Sequence, residues 1–132
     1  MEQPDPALQH LCHALRRFTQ ERDWAQFHTP KNLASALVVE AAELLEPFQW
    51  LQTGQKAELS SAQMQNIRHE MADVLNYLVM LADQLEIDLV AAAQEKILLN
   101  AAKYPAELAR GQADKYTAYL SSQTSSKTST ST

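Results

Sequence analysis

The sequence predicts an all-α fold, an antiparallel bundle of four main helices, and three observations carry that prediction. Apolar residues recur three and four positions apart throughout rather than alternating. Only two glycines occur in 132 residues, Gly54 and Gly111, and runs of strand-forming residues joined by hairpin turns are absent. Ala and Leu are abundant, as helices favour. A chain of this length suits one compact domain, placed at residues 1–120, followed by a tail.

Each element has its own signal. Asp5 and Pro6 form a cap and first-turn proline, and Leu8, Leu11, Leu15 and Phe18 carry an amphipathic first helix to about Arg22. His10 and His13 lie three apart on it with no third ligand nearby, so they read as helix-edge residues, and Cys12 reads as packing. Residues 23–29, DWAQFHT, form an aromatic connection. Trp24, Phe27 and His28 there either plug the end of the bundle or offer a platform to a flat base.

Thr29-Pro30 opens the second helix, whose stripe of Leu33, Leu37 and Leu44 is interrupted by Glu40. Glu43 and Glu46 follow, Pro47 closes or kinks the helix, and Phe48 and Trp50 extend beyond it to a polar turn at Gln52–Gln55. Ser60 or Ser61 caps a third helix over about Ala62–Glu86, with a core stripe of Ile67, Met71, Val74, Leu78, Leu81 and Leu85. Beside that stripe runs a second line, Glu70, Asp73, Tyr77 and Met80. Asp83, Glu86 and His69 are expected to face solvent. Asp88 caps a fourth helix bearing Lys96, Asn100 and Lys103, which Tyr104-Pro105 ends. Residues 106–120 suit a short turn or docking arm. From Ser121 onward every residue is Ser or Thr except Gln123 and Lys127, a composition expected to be disordered.

The net charge of −5 gives no overall basic surface for a nucleic acid polymer, although it leaves room for a nucleotide whose phosphates meet a cation. A single cysteine, Cys12, permits no internal disulfide and suits a reducing, cytoplasmic setting. The opening MEQPDPALQH has no apolar run, so a cleaved leader is not expected. Charges interrupt every apolar patch, so neither is a membrane span.

The acids carry the chemistry. Glu40 and Glu43 lie three apart on one helical face, as do Glu70 and Asp73 on another. One such pair alone is common on a solvated ridge. Two pairs, each beside a core stripe on helices that a short connection lets pack antiparallel, can face each other, and four carboxylates at one point need a cation. Neither pair continues as Glu-x-x-His, the pattern of helical di-iron sites, and an all-oxygen donor set favours Mg²⁺, or Mn²⁺ in its place. Lys96, Asn100 and Lys103 could meet phosphates, and Trp24, Phe27, His28 and Trp50 could hold a base. A helical interaction protein with an acidic groove remains an alternative.

These residues, in this order, resemble a known family. ERDWAQFHTPKNLASALVVEAAELLEPFQW, EMADVLNYLVMLADQLEIDL and KILLNAAKYP are similar to the MazG-like all-α nucleoside triphosphate pyrophosphatases, nearest to the dCTP pyrophosphatase branch, over about Phe18 to Tyr119. Gly111 to Thr117 resembles that branch too. The resemblance implies hydrolysis of a nucleoside triphosphate to its monophosphate and pyrophosphate with Mg²⁺, held by Glu40, Glu43, Glu70 and Asp73. It implies base and sugar contacts from Trp24, His28, Trp50 and Tyr77. It implies phosphate contacts from Lys96 and Asn100, with Lys31 and Lys103 as further candidates. It also implies a homodimer or homotetramer whose sites lie at helix interfaces. Two positions depart from the pattern. Leu15 stands where the dCTP branch can place a histidine, which leaves base preference open, between dCTP and a dUTPase-like or house-cleaning substrate range. His69 stands where an acid is common.

Overall fold

The computed structural model describes residues 3–113, and every regular element among them is helical. The elements are α1 (Pro6–Glu21), α2 (Pro30–Leu45), α3 (Ser61–Gln84), α4 (Leu89–Lys103) and a single turn, α5 (Ala106–Ala109). Short 3-10 turns occur at Ala25–Phe27 and Lys56–Glu58. The expected tail from Ser121, and the Lys-Tyr-Thr end of the stretch beginning at Gly111, lie outside the described residues.

The helix starts follow from local chemistry. The Asp5 carboxylate accepts from the amides of Ala7 at 2.9 Å and Leu8 at 3.2 Å, with Pro6 at the first helical position. The Thr29 hydroxyl accepts from the Asn32 amide at 3.2 Å, ahead of Pro30. Ser60 and Gln63 form a reciprocal capping box: the Ser60 amide donates to the Gln63 side chain at 2.8 Å and the Gln63 amide to the Ser60 hydroxyl at 3.1 Å. Two helices stop alike. After α1 the amides of Asp23 and Trp24 donate back to Gln20 and Thr19, and after α3 those of Glu86 and Ile87 donate back to Asp83 and Ala82. Each is a Schellman close, which puts a left-handed residue just past the helix. Asp23 (φ 53°) and Glu86 (φ 55°) take that conformation although neither is glycine.

The chain divides into two units, one ending at Leu89 and the other starting at Val90. In the first, α2 and α1 both pack on α3. Arg16 meets Asp83 and Thr19 meets Met80, so α1 runs antiparallel to α3. On the other side of α3, Glu40 and Glu43 of α2 come together with Glu70. Among the described residues Leu33, Ile67, Val79 and Ala82 are the buried apolar side chains, Leu33 most completely at 1% exposure. The expected α3 stripe is only partly covered: Met71 and Leu85 are 57% and 49% exposed, because α1 and α2 screen a limited arc of its surface. Val38, Val39 and Leu45 on α2 are exposed as well. In the second unit, Ile97, Leu98 and Leu99 of α4 are exposed.

Asp83 does not simply face solvent as the sequence suggested. Arg16 grips its carboxylate with two donors, Nε at 2.7 Å and one terminal nitrogen. This lowers the Asp83 pKa.

Candidate active site

A three-and-four step along α2 from buried Leu33 runs through Leu37, Glu40 and Leu44, all half-buried, so helical register carries Glu40 toward α3. Glu43 lies one turn on and is also half-buried. On α3, Glu70 follows buried Ile67 by one turn. Each of Glu40, Glu43 and Glu70 offers a carboxylate oxygen, and these oxygens all lie within 4.8 Å of one another.

Electrostatics make this an unfavourable arrangement for three free carboxylates. Desolvation first, and then Glu43 beside it, raise the Glu40 pKa from the ordinary 4.5 to about 7. The Glu70 pKa is raised for the same reasons, with burial the largest. One oxygen of Glu40 and one of Glu70, Oε2 in each, is buried with no hydrogen-bond partner. Native proteins leave few such groups without a role. Two orphaned acid oxygens in an all-oxygen cluster fit a hard divalent cation. The fourth sequence-nominated acid, Asp73, is exposed and falls outside this group, although its charge still acts on Glu40.

The nominated aromatics divide. Trp24 and His28 come together in an edge-to-face contact with centroids 6.3 Å apart, and Phe18 also meets Trp24 edge-to-face at 5.6 Å. Gln84 at the end of α3 donates to the His28 carbonyl and so ties this connection down. Tyr77 is half-buried on α3, one turn beyond Asp73. Trp50 stands apart, 88% exposed on the loop after α2. Lys31 is exposed on the first turn of α2, and Lys96, Asn100 and Lys103 are exposed along α4 in the second unit.

Between α1 and α3 lies a cavity of about 150 Å³ with His28, Leu15, Thr19, Met80 and the Arg16–Asp83 pair in its wall. Sequence reasoning missed this pair. Arg16 and Asp83 are 67 positions apart, and no local spacing signals their meeting. The Glu70–Asp73–Tyr77–Met80 line read from the sequence does lead along α3 from the acids to this cavity.

Comparison with known proteins agrees with the residue-level resemblance. Residues 36–118 match the MazG-like family. Human dCTP pyrophosphatase 1 is 42% identical over 116 residues, covering 86% of this chain and 68% of that protein, and its Bos taurus counterpart is 41% identical over the same coverage. A solved pyrophosphatase from Archaeoglobus fulgidus superposes with a TM-score of 0.70 at 38% identity, covering 80% of this chain and 98% of that one. An acid cluster shared by two helices, the ordered sequence blocks and these likenesses converge: the chain belongs to the MazG-like family.

Proposed function

We propose that this protein is a nucleoside triphosphate pyrophosphatase that hydrolyses dCTP, or a modified dCTP, to the monophosphate and pyrophosphate with Mg²⁺. The observation that carries the reading is the Glu40–Glu43–Glu70 cluster with its two unpartnered buried oxygens. Likeness to dCTP pyrophosphatases supports the substrate class.

Glu40, Glu43 and Glu70 would hold the metal in this reading, and Asp73, exposed one turn beyond Glu70, would add its charge beside them. A divalent cation bound there supplies charge neutralisation of the phosphates and a more acidic water. The chain's own residues do the rest. An ionised carboxylate not fully committed to the cation, Glu40 or Glu43, takes the proton of the attacking water. Lys96 and Asn100 bind phosphate oxygens. Trp24, His28, Trp50 and Tyr77 hold the nucleoside.

The exposed apolar residues of α2 and α4 support assembly as a homodimer or homotetramer. Among the described residues no helix is long and apolar enough to cross a membrane, and a cytoplasmic setting is part of the reading.

A panel of ordinary and modified nucleotides with product analysis tests this function. dCTP should be among the best substrates and should yield pyrophosphate rather than orthophosphate. Glu43→Ala at saturating Mg²⁺ should lose turnover by 100-fold or more, on the order of the loss from removing a catalytic charge. Wild-type turnover in that variant removes the acid cluster from catalysis. No metal-dependent activity on any nucleotide would leave a non-catalytic helical interaction protein.

A further inference from the structure

We infer that Glu58 is a positioning residue for Trp50, the outer part of a clasp that fixes the loop presenting this indole to the substrate. The inference rests on the assignment of Trp50 as a nucleoside contact, but not on the metal site.

Trp50 is 88% exposed, unusual for the largest side chain in a folded protein, and its loop is nonetheless heavily tied. Pro47 has no amide to continue α2, and the backbone passes into tight turns, with the Phe48 amide donating to Leu45 at 2.9 Å and that of Leu51 to Phe48 at 2.9 Å. Two residues past Trp50 the Glu58 carboxylate takes over. It accepts from the amides of Gln52 at 3.2 Å and Thr53 at 3.1 Å, and from the Thr53 hydroxyl. A carboxylate holding two successive amides is a charge-assisted staple across the loop. Within the loop, the Phe48 ring packs on Gly54. A Cβ there would stand 2.7 Å from Phe48 Cδ1, and φ is +72°, so only glycine suits the position. Along the chain Trp50 lies between these two fixed points, Phe48, which packs on Gly54, and the Gln52 and Thr53 amides that Glu58 holds. The clasp removes freedom the loop would otherwise lose on binding, which is how preorganisation raises affinity.

The experiment compares wild type, Trp50→Ala, Glu58→Ala, Glu58→Gln and the double variant Glu58→Ala/Trp50→Ala on dCTP. It also follows the ¹⁹F spectrum of protein labelled with 5-fluorotryptophan, with Trp24 as the internal control. Glu58→Ala should raise KM roughly three- to tenfold, the loss of about one good hydrogen-bonded contact, with kcat within about twofold of wild type. Glu58→Gln, which keeps one acceptor, should fall between. The Trp50 resonance should shift and narrow in Glu58→Ala while that of Trp24 stays. In the Trp50→Ala background the same substitution should change nothing further. The inference is overturned by an unmoved Trp50 resonance, by an unchanged KM, or by an equal KM increase with Trp50 already removed. A wild-type KM in Trp50→Ala overturns it together with the assignment of Trp50. The metal reading is then untouched, because Glu43→Ala tests it separately.

Discussion

Glu40→Gln should make the metal-free protein more stable at alkaline pH. Glu40 is crowded by Glu43, Glu70 and Asp73, and its pKa is raised from 4.5 to about 7. A carboxyl whose folded pKa is raised favours folding most below 4.5 and loses that contribution as pH rises through 7. Above both values the penalty is about 3 kcal/mol at 1.36 kcal/mol per pKa unit, and solvent screening at this half-buried position reduces it to about 1.5 kcal/mol. Glutamine keeps the shape and removes the charge. For a chain of 132 residues the relief should raise the melting temperature by about 5 °C at pH 8.5 in the presence of a chelator, and by almost nothing at pH 4. Differential scanning calorimetry on both proteins at both pH values measures this. Adding Mg²⁺ or Mn²⁺ should reverse the order at pH 8.5, because wild type gains binding energy that the variant has lost. Equal melting temperatures at pH 8.5 without metal would refute the reasoning, since the three carboxylates would then not be repelling one another.

Two further outcomes follow from the helix ends and the α1–α3 seam. Asp83→Asn should lower stability at neutral pH by about 1 kcal/mol, a modest figure because Arg16 is half exposed. The lowered Asp83 pKa means that this contribution is present above the ordinary aspartate value and fades as pH falls through the folded one, so melting curves of the two proteins should converge in strong acid. Glu86→Gly should stabilise the fold by about 0.5–1 kcal/mol, because glycine removes the left-handed strain at the close of α3 at some entropic cost, and a urea midpoint shifted upward with unchanged slope would register it.

What the sequence disclosed was mostly local. Asp5-Pro6, Thr29-Pro30 and Ser60 announce helix starts because a cap and the amides it satisfies lie within three residues. The acid pairs were legible because a three-residue step keeps both members near one face, and the neighbouring leucines say which face turns inward. That step also rotates the second residue by about 60°, and the separation of exposed Asp73 from Glu70 in the cluster reflects a distinction too fine for spacing to give. Burial was harder. The period of α3 marks a line through Met71 and Leu85 but not how much of it α1 and α2 cover. Contacts between distant segments left no local trace. Arg16 with Asp83 and the Gln84 bond to His28 depend on how α1 lies against α3. The Glu58 carboxylate's hold on the Gln52 and Thr53 amides depends on how the loop folds back on itself, which no spacing signals.

In the proposed reaction an acid cluster shared by α2 and α3 directs water to the first phosphate of a nucleoside triphosphate. Hydrolysis of dCTP in ¹⁸O-labelled water with Mg²⁺, followed by mass analysis of the products, tests it most directly. One ¹⁸O should appear in the monophosphate, with unlabelled pyrophosphate and no reaction when a chelator removes the metal. Label in pyrophosphate, release of orthophosphate, or turnover that persists in the chelator would contradict it.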